Sequence, residues 1–137
     1  MLAIKRNKNC VYQTAYHLVW CPKYRKRILV GKIARELDVQ IQIICQHNHW
    51  SILAQEIQPD HIHIFLSTPP SISIATAVKL LKGISSRVML QKFPELKKQF
   101  WSGHLWAPSY YAGTAGNVSA KTIQNYIQRT EHLQARR

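Results

Sequence analysis

The sequence predicts an α+β protein with a ferredoxin-like βαββαβ fold, an antiparallel sheet with helices on one face and a further helix appended at the C-terminus. The hydrophobic periodicity follows the order strand, helix, strand, strand, helix, strand, helix. The 137 residues suit one domain, and no internal repeat or low-complexity linker divides them. We therefore expect a single domain over residues 1–137, with a core at about 10–112, a hinge at about 113–118 and the last helix at about 119–133.

The first half of the chain contains three predicted strands and one helix. Aromatic and β-branched residues predict a strand over Cys10–Trp20, which ends at Cys21-Pro22. Apolar residues at helical spacing predict a helix over about Gly31–Gln46. A strand over Trp50–Ile57 then leads through the tight turn Gln58-Pro59-Asp60 into the second strand of a hairpin.

The second half begins with a long amphipathic helix. Either Ser71 or Ser73 can cap its start, and Phe93-Pro94 ends it. The aromatic-rich stretch Trp101–Tyr111 predicts an edge strand that a proline interrupts. Small residues over Ala112–Asn117 indicate a flexible turn, which leads to the last helix.

The charge balance indicates a polyanionic partner. The chain has 19 Lys and Arg against 6 Asp and Glu, a formal net charge of +13, and phosphate neutralisation makes nucleic acid the expected partner. The small number of acidic residues argues against a nuclease built on converging carboxylates, and the sequence has no phosphate-binding glycine loop.

The sequence has no membrane-length apolar run and no signal-peptide pattern, and its three cysteines form no Cys-x-x-Cys pair. We therefore expect a cytoplasmic protein with reduced thiols.

Basic residues cluster directly after the first predicted strand. An aromatic side chain interleaved with cations suits a phosphate backbone and a stacked base. On the long helix, Lys79, Lys82 and Arg87 lie off the apolar stripe and are expected to face solvent. The expected DNA-contacting residues are Lys23, Tyr24, Arg25, Lys26, Arg27, Lys82 and Arg87.

The stretch Asp60–Leu66 carries the most specific chemistry. Its alternation of polar and apolar residues places His61 and His63 on one face of a strand, where neutral imidazoles can share a divalent cation. A half-exposed strand that happens to carry histidines is the alternative. The spacing of Cys45, His47 and His49 resembles a second ligand cluster, but no further Cys/His group completes a tetrahedron, so a helix end accounts for it better.

Five stretches in order resemble the single-tyrosine transposases of small bacterial and archaeal insertion sequences that move as single-stranded DNA, members of the His-hydrophobic-His (HUH) endonuclease superfamily. Together they span nearly the whole chain and are far more specific than His-x-His alone. They are Val19–Arg27, Pro59–Ile64, Leu81–Arg87, Leu105–Tyr111 and Ile123–Ile127.

The resemblance implies a DNA transposase that cleaves and rejoins single-stranded DNA at insertion-sequence ends. It implies that Tyr126 is the nucleophile and forms a 5′-phosphotyrosine intermediate, and that His61 and His63 bind the catalytic divalent metal, Mg²⁺ or Mn²⁺. It also implies a homodimer that binds a DNA hairpin near the element's end, with no membrane association. Without the resemblance, Tyr126 is equally compatible with an amphipathic helix, and Tyr110 and Tyr111 are rival tyrosines.

The sequence departs from the family pattern at one metal ligand. The family usually has a glutamine four residues after the tyrosine, whereas this chain has Thr130. The third ligand is therefore Thr130 or Glu131, and Gln128 lies too far round the helix from Tyr126. The alternative functions are a non-catalytic ferredoxin-like nucleic-acid-binding protein and a domesticated relative that cuts genomic hairpins. Residues alone leave open the target and hairpin sequences, the native metal, cis or trans action of Tyr126, and the activity of this copy.

Overall fold

A computed structural model describes residues 4–7, 10–12 and 14–114. The main sheet has four antiparallel strands in the order β4-β5-β3-β6. This is the strand order of a βαββαβ core, in which the two strands that follow the helices, β4 and β6, lie at the edges and the other two lie inside. The predicted α+β class is therefore confirmed. The strands are β3 (Tyr16–Trp20), β4 (Ser51–Gln58), β5 (His61–Ser67) and β6 (Tyr111–Thr114).

Within residues 14–114, two long α-helices, one short α-helix and a 3-10 helix over Lys23–Arg25 accompany the sheet. Helix α1 spans Gly31–His47 and α2 spans Ile74–Lys92. The Ser73 hydroxyl accepts a hydrogen bond from the Thr76 amide at 3.1 Å, so Ser73 is the N-cap of α2. Pro94 opens the short helix α3 (Pro94–Gln99), because a proline at the first helical position needs no amide partner.

The strand predictions need two corrections. The stretch Cys10–Trp20 is two strands, because β2 (Cys10–Tyr12) pairs with β1 (Lys5–Asn7) in a separate two-stranded sheet. The edge strand is β6, which lies later than the predicted Trp101–Tyr111. Of the predicted stretch, Trp106 forms an isolated bridge with Pro22, and Tyr111 begins β6. Residues Ala112 to Thr114, expected in the turn and the start of the hinge, therefore belong to a strand.

The core lies between one face of the sheet and the two long helices. Alternate residues of β3 and β5, such as Leu18, Ile62 and Ile64, are fully buried against α1 and α2. The register therefore fixes the other face, which carries the residues between them. Among the described residues, no helix has the length and apolar character needed to span a bilayer.

Candidate active site

The histidine pair lies on the face of β5 opposite the helices. His61 and His63 are 5% and 7% exposed, with ring centroids 4.7 Å apart. Strand β5 is central, flanked by β4 and β3, so the backbone that carries both rings is held by ladder bonds on both sides. The predicted face and central position of the pair are confirmed.

Asp60 orients the first histidine. The His61 Nδ1 atom lies 2.7 Å from Asp60 Oδ1, and Arg25 Nη2 donates to the other carboxylate oxygen at 3.2 Å. Burial alone would raise the pKa of Asp60, but the hydrogen bond from His61 and the charges of His61 and Arg25 outweigh burial and lower that pKa. An ionised carboxylate therefore holds Nδ1 of His61.

A third imidazole, which the sequence reasoning missed, supports the second histidine. His17 Nε2 lies 3.1 Å from His63 Nδ1, and the His17 ring stacks on Phe65 with centroids 4.4 Å apart. Burial lowers the pKa of His17, which favours its neutral form. No sequence signal marks His17, because it shares a face with His63 only through its pairing with Phe65, two residues away, and that register is set by the fold.

The histidine pair opens into a pocket of about 340 Å³. One wall is formed by Ser109, Tyr110 and Tyr111, and the Tyr111 ring meets His17 edge-on with centroids 5.5 Å apart. The lining also includes Arg25, whose side chain is 70% exposed. The pocket thus combines imidazoles, a cation and aromatic rings, which suits a phosphodiester beside an unpaired base.

The segment that forms this wall is fastened to α2. Lys82 Nζ donates to the carbonyls of Ala107, Pro108 and Ser109 at 2.7, 3.3 and 3.3 Å. Burial lowers the pKa of Lys82, although the charge of Cys21 acts in the opposite direction. The expectation that Lys82 faces solvent is met only in part, since Lys82 is half-buried and three main-chain carbonyls compensate its ammonium.

Two serines of the same helix complete the attachment. Ser85 Oγ accepts from the Trp106 indole at 3.0 Å, and Ser86 Oγ accepts from the Leu105 amide at 3.1 Å. Both bonds are buried, so they satisfy donors that water cannot reach. The sequence Leu81–Arg87 therefore has a structural function that its helical pattern did not reveal.

The other predicted DNA-contacting residues differ in their exposure to solvent and in the contacts that they make. Tyr24 is 85% exposed and has a positive φ of 61°, an uncommon conformation for a residue other than glycine. Lys23 Nζ donates to Ser102 Oγ at 3.2 Å, and Lys26 Nζ lies 5.4 Å from the Phe100 ring centroid. Arg27 and Arg87 are exposed, as expected.

The histidine pair fits a divalent cation only as part of a ligand set. Within residues 14–114, no three His, Cys, Asp or Glu side chains are grouped to hold a metal ion. The same holds for Cys45, His47 and His49, whose side chains are not grouped to hold a metal ion. Burial raises the pKa of the Cys45 thiol to about 12. The predicted nucleophile Tyr126 and the predicted third ligands Thr130 and Glu131 lie outside the described residues.

Comparison with known proteins identifies the family. Residues 10–130 match the family model described as "Transposase IS200 like". The chain is 41% identical over 127 residues to the ISDra2 transposase TnpA of Deinococcus radiodurans, covering 93% of this chain and 91% of that protein. It is 35% identical over 113 residues to the transposase for insertion sequence element IS200 of Salmonella typhimurium, covering 82% and 74%.

Solved structures share the fold. A crystal structure of a D. radiodurans R1 protein described as a transposase superposes with a TM-score of 0.75 at 38% identity, covering 91% of this chain and 96% of that one. The REP-associated tyrosine transposase bound to a REP hairpin has a TM-score of 0.62 at 15% identity, covering 93% and 73%. From the family match and the close relatives together, we conclude that the chain belongs to the IS200-like transposase family.

Proposed function

We propose that this transposase cleaves and rejoins single-stranded DNA at the ends of its insertion sequence, with Tyr126 as nucleophile and the His61/His63 pair as the metal-binding half of the active site. The observation that carries the proposal is the pair itself: two adjacent imidazoles on a central strand, each with Nδ1 in a hydrogen bond. Metal-ligating histidines typically have their other ring nitrogen hydrogen-bonded in this way.

The hydrogen bonds at Nδ1 determine how the pair would hold a cation. Nε2 of both rings would hold the cation, with Nδ1 of His61 donating to Asp60 and Nδ1 of His63 donating to Nε2 of His17. Mg²⁺ or Mn²⁺ bound there would polarise a non-bridging phosphate oxygen. The remaining ligands would come from Thr130 or Glu131, water and the phosphate itself.

The proposed reaction is a transesterification at phosphorus. The phenolic oxygen of Tyr126 attacks the scissile phosphorus as its proton passes to a base or water, and the bond from phosphorus to the 3′ oxygen breaks. The products are a 5′-phosphotyrosine and a 3′ hydroxyl, which takes up a proton. Attack by another 3′ hydroxyl on the phosphotyrosine reverses these changes and joins the new strand.

The basic residues around the pocket would track the DNA backbone. Arg25 lines the pocket, and Lys23, Lys26 and Arg27 continue from it along the chain. We include a DNA hairpin near the element's end and a homodimer in the proposal. A relative with the same fold is bound to a REP hairpin, which supports the first of these. We expect the protein to act in the cytoplasm, where the element's DNA is.

The central experiment is adduct formation. Incubation with single-stranded DNA that carries the element's end, together with Mn²⁺, should give a covalent protein–DNA species that resists denaturation. Tyr126→Phe should abolish the adduct while DNA binding persists. Full cleavage by Tyr126→Phe would rule out this tyrosine as the nucleophile. Salt-sensitive binding without any adduct, unaffected by metal, would favour the non-catalytic nucleic-acid-binding alternative.

A separate measurement tests the metal site. His61→Ala and His63→Ala should each abolish cleavage and lower the Mn²⁺ affinity measured by calorimetry, because each removes a ligand. His47→Ala is the matched control, since His47 is exposed at the end of α1 and away from the pocket. Equal Mn²⁺ affinity in all three variants would place the metal elsewhere.

A further inference from the structure

A second, larger cleft lies beyond the histidine pocket. It has a volume of about 790 Å³ and is bounded by the C-terminal half of α2, by α3 and by the segment of residues 100–108. Its floor is apolar and includes Leu90, Phe100 and Trp106, which are at most 8% exposed. An apolar cleft of this size can accept a ring system without rearranging the core.

Trp101 is the unusual residue of the cleft. Its side chain is 87% exposed, whereas Trp20, Trp50 and Trp106 are 2, 6 and 5% exposed. Packing therefore does not explain Trp101, since its ring covers little of the core. A large aromatic ring held in water at the edge of a cleft is a typical platform for a stacked base.

Cations surround the cleft. Lys23, Arg87 and Lys97 line it from three different parts of the fold, and no acidic residue of the described part of the chain is among its lining residues. Arg87 and Lys97 are exposed on adjacent helices. Cations around an apolar floor are complementary to a nucleic-acid strand, because such a strand can turn its phosphates towards the cations and its flat bases towards the floor.

The wall of the cleft at residues 105–108 continues along the chain into the wall of the histidine pocket at residues 109–111. Backbone hydrogen bonds at 2.9 Å tie this wall to the preceding loop, from the Lys23 amide to the Leu105 carbonyl and from the Ala107 amide to the Cys21 carbonyl. A DNA strand that follows this segment would therefore reach both sites.

We propose that the cleft is a binding subsite for single-stranded DNA, in which an unpaired base stacks on Trp101 and its phosphates contact Arg87 and Lys97. The proposal rests on the proposed function, because it places the strand beside the histidine pocket. Single-stranded DNA fits better than a duplex, since the faces of paired bases are covered by their neighbours and cannot reach the apolar floor.

Intrinsic fluorescence tests the stacking directly. Because three of the four tryptophans are buried, emission that acrylamide can quench reports on Trp101. An oligothymidylate of about 12 nucleotides, which forms no hairpin, should quench this emission or shield it from acrylamide. Trp101→Ala should weaken its binding about 5- to 150-fold, and Trp101→Phe should restore most of the affinity. Unchanged Trp101 emission at saturating oligonucleotide would overturn the proposal.

The salt dependence of binding tests the phosphate contacts. Lys97→Gln should reduce the slope of log affinity against log salt by about 0.7, the contribution of one single-strand phosphate contact. Lys98→Gln is the matched control, because Lys98 is exposed on the same helix but does not line the cleft. Equal effects of the two variants, or tighter binding of a blunt duplex than of the oligothymidylate, would contradict a single-strand subsite.

Failure of this proposal can be separated from failure of the proposed function. All binding measurements use the Tyr126→Phe protein, so they do not depend on cleavage. Normal adduct formation by the Trp101→Ala protein with unchanged oligothymidylate affinity would overturn only the subsite. Loss of Trp101 fluorescence on binding, in a protein that never forms an adduct, would support the subsite and overturn the tyrosine chemistry.

Discussion

His17 Nε2 lies 3.1 Å from His63 Nδ1, so a histidine of β3 supports a histidine of the neighbouring strand β5. The contact crosses a regular antiparallel pair in which Val19 is opposite His63, so the ladder fixes its geometry. If Nε2 of His63 binds the metal, the bond to His17 sets which His63 nitrogen carries the proton. His17 is then a positioning residue of the proposed site.

The first prediction concerns His17→Phe. Phenylalanine keeps the stacking on Phe65 but removes the acceptor for His63, so Mn²⁺ affinity should fall about 10- to 100-fold by calorimetry. The free energy of unfolding should fall by about 1–3 kcal/mol, because the buried Nδ1 of His63 loses its hydrogen bond to His17 although the ring volume at position 17 remains. Restored affinity in His17→Gln, which offers an amide oxygen as acceptor, would support the positioning role. Unchanged affinity in His17→Phe would contradict it.

The second prediction concerns Lys82. Replacement by methionine leaves the carbonyls of Ala107, Pro108 and Ser109 without their donor and should destabilise the protein by about 1.5–3 kcal/mol in urea unfolding. Lys82→Arg should cost less, since a cation remains. Lys79→Met, on an exposed face of the same helix, is the control and should lie within about 0.5 kcal/mol of the wild type. A similar small change for Lys82→Met would show that the carbonyls do not need the ammonium.

Ser85→Ala gives a third prediction. The substitution leaves the buried indole N–H of Trp106 without its acceptor and should cost about 1–3 kcal/mol in unfolding free energy. The emission of Trp106 should also shift, because the hydrogen bond to its ring is lost. Ser71→Ala, at an exposed position before α2, should leave both measurements unchanged. Equal stability of the two variants would mean that water satisfies the indole.

The sequence could predict the strands and helices whose periodicity is strong, and it could predict the face of the histidine pair. In a sheet that helices cover on one side, isoleucines that alternate with His61 and His63 must face the helices, so both histidines must lie on the opposite face. His17 could not be recognised as a partner, because cross-strand register depends on pairing between distant segments. The functions of Lys82, Ser85 and Ser86 were hidden for a related reason: the carbonyls and donors that they satisfy belong to an irregular segment with no periodicity.

The fourth prediction concerns pH and the contact between the two long helices. On α1, Glu36 Oε1 accepts hydrogen bonds from Lys92 of α2 and from Gln40, and the bond from Lys92, followed by that from Gln40, lowers the pKa of Glu36 below its ordinary value of 4.5. The ion pair therefore stabilises the fold fully above that ordinary value and is lost as pH falls through the lower, folded-state pKa.

Glu36→Gln should consequently reduce the unfolding free energy by about 0.2–1 kcal/mol at neutral pH, a range suited to a partly exposed pair. Urea titrations of the variant and the wild type should converge as the pH is lowered below the folded-state pKa, because the wild-type carboxylate is then protonated as well. Glu95→Gln, on exposed α3, is the control. A difference that persists at acid pH would assign the effect to packing.

The last prediction concerns Gly113, which lies in β6 beneath the Tyr111 ring. A Cβ atom at Gly113 would lie 2.6 Å from Tyr111 Oη and 3.1 Å from Cζ, so Gly113→Ala must push the ring away. The displaced atoms are at the free end of a half-exposed side chain, so stability should change by less than about 1 kcal/mol. Because Tyr111 lines the histidine pocket and meets His17 edge-on, the rate of adduct formation should nevertheless fall.

A double-mutant cycle separates this effect from a general strand defect. Tyr111→Phe removes the hydroxyl that meets the new methyl group most closely, so the Tyr111→Phe/Gly113→Ala protein should recover part of the adduct-forming rate lost in Gly113→Ala. Simple additivity of the two substitutions would show that Gly113 acts on the β6 backbone. A positive interaction term would show that this glycine is required because the Tyr111 ring lies over it, where it forms part of the pocket wall.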